Sequence, residues 1–360
     1  MIGYEHQPSL VILSFLFWLI PTLLYTRNIY ANYPGKNYLI PLFFFSVFVI
    51  TGFAIDDTYS YIYLYDSMRR YHEAIHVEPF YFALAEILPN GFYVWRTAIW
   101  GGAACFYIIT AKLLGLNANM MGLLLPIILY RQFALSRVSL VFALALFFAI
   151  EFIQHKNLIF RIAMLGGLLL VVSLHKSAVI YIAIIPLALI FDVDKKKLTL
   201  LILLYPFLYG LVRVVIANIL ALPFLGENTV DSGRLFFENE KSVANINGII
   251  QEIVEYLPLA LSSFLLIRRY VFKGVFENKA ISFLFSYSIL LLYMAMLLAN
   301  QEIDSALCTR TIHAAYFPIL LVLCYYFQNN KRTSLDKVTM YLYSLSALYA
   351  LSYTYYSWSR

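Results

Sequence analysis

The chain has 360 residues, of which 62% are hydrophobic and only 13% charged, and its mean hydropathy is +0.76. A soluble domain carries roughly 25% charged residues, so this composition excludes an ordinary soluble enzyme and predicts a membrane protein. The net charge of +6 does not indicate a nucleic-acid partner, because the basic residues gather in alternate loops, as the positive-inside rule requires.

Apolar runs follow one another along the whole chain. They include about residues 8–25, 38–55, 92–114, 158–174 and 198–222. Each run is long enough to cross a bilayer core of about 30 Å as a helix. We therefore predict an all-α polytopic membrane protein with about twelve transmembrane helices. Residues 1–360 should form a single transmembrane domain.

The charged residues predict the orientation of these spans. Lysines and arginines such as those at 195–197 and 268–269 mark cytoplasmic connections. Acidic residues collect in the alternate loops, at about 56–91, 223–248 and 300–310, which we assign to the outer face. Arg96 falls inside the third run and should snorkel to the interface or face a polar interior.

The densest group of ionisable and aromatic residues lies in the first of these outer loops. Asp57, Tyr61 and Tyr65 recur every four residues and would share one face of a helix. Glu78 and Tyr81 follow closely. Carboxylates beside aromatic rings suit sugars, which present hydroxyl groups at their edges and C–H groups on their faces. We expect Tyr61, Tyr65 and Tyr81 to hold sugar rings and Asp57 or Glu78 to act as a general base.

Several basic residues map to the predicted outer face, which the positive-inside rule should deplete. They are Arg131, Arg137, His175, Arg234 and Arg310. Arginine binds phosphate oxygens bidentately and remains charged at low dielectric, so this cluster predicts an anionic ligand such as a lipid diphosphate. The alternative is that these arginines neutralise nearby acids: Arg234 has Asp231, and Arg310 has Asp304.

Two short motifs suggest metal sites. His72 to His76 reads HEAIH and fits the zinc-protease pattern H-E-x-x-H, but Pro79 follows shortly and no third ligand is evident. Asp192 and Asp194 resemble a glycosyltransferase metal pair, although three lysines follow them in a predicted cytoplasmic loop. We prefer solvated loops at both places. Because arginines can supply the positive charge, we predict no metal and no cofactor, with a cation site at Asp56 and Asp57 as the open alternative.

The ordered motifs of the chain resemble the EpsG family, which is grouped with the Wzy-type O-antigen and exopolysaccharide polymerases. The matching motifs are Asp57-x3-Tyr61-x3-Tyr65, Glu78-Pro79, Arg137 in RVSLVFALALFF, His175-x-Ser177-Ala178, Gly233-Arg234, and Arg310 leading to Tyr316-Phe317. The sequence departs from that family in the residues after Arg137 and His175, and HEAIH has no counterpart there.

The resemblance implies a GT-C-like helical fold in the bacterial inner membrane, with the active site facing the periplasm. It implies a polymerase that transfers a glycan from one undecaprenyl-diphosphate carrier to a lipid-linked repeat unit. Arg137 and Arg310 would act on the leaving diphosphate, with Arg131, His175 and Arg234 binding the substrate. The implied partners are the undecaprenyl-diphosphate-linked oligosaccharide, membrane lipids and a chain-length-regulating co-polymerase.

Three alternatives remain open. The first is another polyprenyl-lipid-dependent glycosyltransferase or an O-antigen ligase, although ligases usually concentrate their polar residues in one dominant loop. The second is a flippase or transporter of lipid-linked oligosaccharides, for which inverted repeats and Gly- or Pro-interrupted helices near the midplane would be expected. The third is a zinc membrane protease, which rests on HEAIH alone.

Overall fold

The computed structural model describes most, but not all, of the chain. It covers residues 58–71, 78–88, 91–119, 136–175, 178–220, 246–271, 278–298, 305–330 and 333–342, with single positions at 16, 19, 20, 23, 24, 27, 35, 37, 38, 344 and 345. All regular secondary structure in these residues is helical, which confirms the predicted all-α class.

The helices are named in chain order. They are α1 (Thr58–Tyr71), α2 (Pro79–Ile87), α3 (Phe92–Leu113), α4 (Ser136–Gln154), α5 (Leu158–Leu174), α6 (Ala178–Ile190), α7 (Lys195–Leu220), α8 (Ile246–Leu266), α9 (Lys279–Leu298) and α10 (Ser305–Asn329). A π-helical turn, Ile267–Val271, continues α8. The predicted outer loop 56–91 therefore contains two helices.

The chain divides into two compact units. One consists of Met1–Ile182 with Cys324–Arg360, and the other of Ala183–Leu323. Helices α1 to α5 lie in the first unit and α7 to α9 in the second, whereas α6 and α10 contribute residues to both.

The first unit is built on α3, which packs against α4, and α4 in turn packs against α5. Gly102 faces α4, since a β-carbon built there would lie 3.5 Å from Cδ1 of Leu140, and a residue without a side chain allows two helix backbones to approach. Tyr107 fastens the same pair by donating its hydroxyl hydrogen to the carbonyl of Ser139 at 3.3 Å. Thus α3, α4 and α5 form the framework on which the shorter α1 and α2 rest.

Arg96 is buried in α3, with 4% of the residue exposed. Its guanidinium carbon lies 3.7 Å from the centroid of the Trp100 ring and 5.8 Å from that of Phe92. An aromatic face attracts a cation through its quadrupole. Arg96 therefore does not snorkel to the surface, which was one of the two predicted alternatives. It packs against the faces of neighbouring rings instead.

In the second unit, α7 packs against α9. Tyr293 of α9 donates a hydrogen bond to the carbonyl of Leu201 at 2.7 Å, and Tyr205 of α7 donates to that of Met296 at 3.0 Å. These reciprocal bonds join the two helices at separate turns. Tyrosine is suited to this task, because its ring packs with apolar neighbours while its hydroxyl reaches a polar partner.

Two described segments, Lys279–Leu298 and Arg310–Asn329, are long and apolar enough to cross a membrane. Their length and composition suggest a membrane location. The count of about twelve spans stays a prediction.

The packing of α5 on α4 leaves no room at Gly167. A β-carbon there would lie 2.6 Å from Cε1 of Phe148, whereas one at the adjacent Gly166 would meet nothing within 4 Å. We expect Gly167→Ala to lower the free energy of unfolding by about 1–3 kcal/mol, because Phe148 must leave its rotamer. Gly166→Ala should be neutral or slightly stabilising, since alanine favours helix. Thermal unfolding in detergent compares them, and equal stability would contradict this packing.

Candidate active site

Glu78 and His175, which the sequence assigned to one site, lie side by side in the first unit. His175 Nε2 is 3.8 Å from Glu78 Oε1, and each side chain is 13% exposed. The two residues come from distant parts of the chain and meet because α2 contacts α5. The distance fits an ion pair when the imidazole is protonated.

Each residue of this pair occupies a helix end. Glu78 is the N-cap of α2, with Pro79 as the first helical residue, yet its carboxylate makes no capping hydrogen bond to that helix. His175 ends α5 in an extended conformation. The N-terminus of a helix attracts negative charge and the C-terminus positive charge. The acidic residue therefore lies at the positive end of one helix dipole, and the basic residue at the negative end of the other.

Tyr65 and Tyr81 belong to the core of the first unit. They are 4% and 0% exposed. The Tyr65 hydroxyl donates to the carbonyl of Leu88 at 3.2 Å, and Trp95 donates from its indole Nε1 to the carbonyl of Tyr81 at 3.1 Å. The ring centroids of Tyr65 and Tyr81 lie 5.8 Å and 6.5 Å from that of Trp95. In this structure both tyrosines hold α1 and α2 against α3.

The other residues expected to bind sugar or to act as base are only partly described. Tyr61 lies in α1 four residues before Tyr65, as the predicted helical spacing requires, but its side chain is outside the description. Asp57 directly precedes α1 and lies outside the described residues. Their part in the site stays a prediction.

Of the four arginines expected to bind the diphosphate, the structure describes the position of two. Arg131 and Arg234 lie outside the described residues, and Arg137 is described only by its position as the second residue of α4. Arg310 belongs to the second unit, within α10. It was predicted at the end of the loop at 300–310, but α10 begins at Ser305, so Arg310 lies in a helix.

The helical position of Arg310 brings out two residues that the sequence analysis did not assign to the site. His313 and Tyr316 follow it at intervals of three along α10, and they are 7% and 1% exposed. Residues three positions apart are neighbours on the same side of a helix. The sequence shows the same spacing, but a spacing of three places residues together only in a helix, and residues 300–310 were predicted to form a loop.

The carboxylates of Asp192 and Asp194 each accept a hydrogen bond near the start of a helix. Asp192 accepts a hydrogen bond from the Ser282 hydroxyl at the start of α9. The Asp194 carboxylate accepts one from the Lys197 backbone at 2.8 Å, in the first turn of α7. Both carboxylates therefore anchor helix ends, and the described residues contain no group of three side chains able to hold a metal ion. HEAIH lies outside the described residues.

The contact between Glu78 and His175 should be measurable as a coupling energy. We expect the double-mutant cycle of Glu78→Gln and His175→Gln to give an interaction of about 0.5–1 kcal/mol in unfolding free energy. The coupling should be larger at about pH 5.5 than at about pH 8, because histidine is charged only when protonated.

Thermal unfolding of the four proteins at both pH values measures this coupling. The second glutamate–histidine pair, Glu151 and His155 with 2.7 Å between Oε2 and Nε2, is a matched control that tests whether the method detects such a contact. Strict additivity at Glu78 and His175, with coupling present in the control pair, would show that the contact does not form.

Comparison with known proteins identifies the family but adds no related structure. No curated protein and no solved structure matches the chain. Residues 37–359, almost the whole chain, match the EpsG family, which is linked to exopolysaccharide synthesis. The match covers both compact units and contains Glu78, His175 and Arg310. The chain belongs to the EpsG family.

Proposed function

We propose that this protein is a polysaccharide polymerase of the bacterial inner membrane. It spans the membrane about twelve times in a GT-C-like arrangement, and its active site faces the periplasm. Its substrates are undecaprenyl-diphosphate-linked oligosaccharides. It transfers the growing glycan from one lipid carrier to the repeat unit on another, and a co-polymerase regulates the length of the product.

The observation that best supports this function is the pairing of Glu78 with His175 in a member of the EpsG family. Glycosyl transfer requires a group that removes a proton from the attacking hydroxyl. A partly buried carboxylate beside an imidazole can do this, since the imidazole holds the carboxylate in place. The capping geometry of α2 leaves the Glu78 side chain uninvolved with the helix backbone.

The proposed reaction is a single displacement. The acceptor hydroxyl oxygen attacks the anomeric carbon of the donor glycan and forms the new glycosidic bond. The bond from that carbon to the diphosphate oxygen breaks, and undecaprenyl diphosphate leaves with the electron pair. The hydroxyl proton passes to Glu78, with Asp57 as the alternative base.

The basic residues bind the donor. Arg137 and Arg310 stabilise the negative charge that grows on the leaving diphosphate, which is the largest electrostatic change in the reaction. Arg131, Arg234 and His175 contribute to binding the same donor. Tyr61 contacts the sugar, and Tyr65 and Tyr81 hold the helices that carry the base.

Polymerisation should be observable with the purified protein. We expect it to convert an undecaprenyl-diphosphate-linked repeat unit into a ladder of longer products, and to do so in the presence of a chelator, because arginines supply the positive charge. Electrophoresis of the lipid-linked products, with and without the chelator, is the measurement.

The outcomes separate the competing functions. A ladder lost only with the chelator would retain the polymerase and overturn the arginine mechanism. A single product carrying one transferred glycan, with no ladder, would favour a ligase or another lipid-dependent transferase. An unchanged repeat unit across several cognate substrates would overturn the proposed function.

Glu78→Gln should reduce the polymerisation rate by about 10²–10⁴-fold, because it removes the general base while keeping the size of the side chain. Glu151→Gln is the matched control, since Glu151 also contacts a histidine but lies near the C-terminal end of α4, next to a connection that carries Lys156 and that the positive-inside rule assigns to the cytoplasm. Initial rates of both variants, at equal protein concentration and with thermal unfolding as a check on folding, test this. Equal rates for the two variants would remove Glu78 from the mechanism.

A further inference from the structure

Helix α10 carries a polar strip, formed by Arg310, which is half-buried, and by His313 and Tyr316, which are buried. The three residues are spaced three apart, so each is rotated by about 60° from the previous one and lies roughly one turn further along the helix. The strip begins where the apolar segment Arg310–Asn329 begins. His313 therefore lies one turn inside that segment.

Each residue of the strip has one side-chain polar atom that is shielded from solvent. Arg310 Nε, His313 Nδ1 and the Tyr316 hydroxyl are all shielded from solvent, and Arg310 Nε has no hydrogen-bond acceptor within reach among the described residues. Burying a guanidinium nitrogen without an acceptor costs free energy. Ionisable residues inside apolar membrane segments therefore indicate a functional site.

The chemistry of the strip selects the kind of ligand. A guanidinium donates several hydrogen bonds and accepts none. An imidazole donates at least one in either protonation state, and its tyrosine neighbour can donate as well. A strip of donors with one fixed positive charge suits an anion with several acceptor oxygens, such as a chain of phosphate groups.

We propose that Arg310 and His313, adjacent on one face of α10, bind the two successive phosphates of the lipid diphosphate donor. Arg310 holds the phosphate common to lipid monophosphates and diphosphates. His313, one turn deeper, donates a hydrogen bond to the other phosphate and so distinguishes the two lipids. This inference rests on the proposed function for the identity of the lipid.

The experiment measures lipid binding by the full chain in nanodiscs, with undecaprenyl diphosphate and undecaprenyl monophosphate as separate probes. The wild type should prefer the diphosphate. His313→Leu, which suits an apolar segment, should weaken diphosphate binding about tenfold and leave monophosphate binding unchanged, because one hydrogen bond to a charged group is lost. Arg310→Gln should weaken binding of both lipids.

The controls separate binding from folding. Thr311→Val is the matched control, because Thr311 is fully buried next to Arg310 but lies about 160° around the helix from His313. It should bind both lipids as the wild type does. His313→Asn and His313→Gln retain an N–H donor near Nδ1 and Nε2 respectively, so at least one of them should restore the preference for the diphosphate.

The remaining results overturn this proposal, the proposed function, or both. A His313→Leu protein that keeps the full preference, or that loses both lipids equally, would assign His313 a structural part only. A wild type that binds the diphosphate with the expected preference but forms no polymer would overturn the polymerase and leave this site intact. A wild type that binds neither lipid would overturn both.

Discussion

The hydrogen bond from Trp95 to the carbonyl of Tyr81 holds α2 against α3 in the first unit. It spans 3.1 Å in a buried setting, where leaving either group unpaired would cost about 1–3 kcal/mol. Because Tyr81 follows Glu78 within the first turn of α2, this bond also holds the start of that helix, where Glu78 lies, close to α3. The rings of Tyr65 and Phe92 pack on the same indole. Trp95 therefore contacts both the aromatic core and the helix whose N-cap is Glu78.

The ionisable side chains among the described residues have different surroundings, and these decide what each can do. Glu78 and His175 are partly exposed and face each other at helix ends, an arrangement suited to moving a proton. Arg310 and His313 lie along one helix, with buried nitrogen atoms, and suit an anion. Arg96 is buried against the Trp100 ring. Similar charged residue types thus have different chemistry, because the groups packed around each one differ.

Some acidic residues that could be taken for catalytic or metal-binding groups instead cap the first turns of helices. Asp194 caps α7, and Asp336 accepts a hydrogen bond from the Thr333 backbone at 2.6 Å while its own N–H donates to the Thr333 hydroxyl. The reciprocal pair is a capping box, which satisfies amide groups that a helix start leaves unbonded. A carboxylate used in this way is held close to the backbone and is poorly placed to bind a metal.

The sequence by itself determined the helical class, the family and many helix limits. Leu158–Leu174 was predicted and observed with the same bounds, and Phe92–Leu113 differs by one residue, because hydropathy and breaking residues act locally along the chain. Only the tertiary structure decided that Tyr65 and Tyr81 are core residues, that Glu78 meets His175, and that His313 joins Arg310. Those outcomes depend on which helix lies opposite each side chain, and local sequence does not encode such non-local packing.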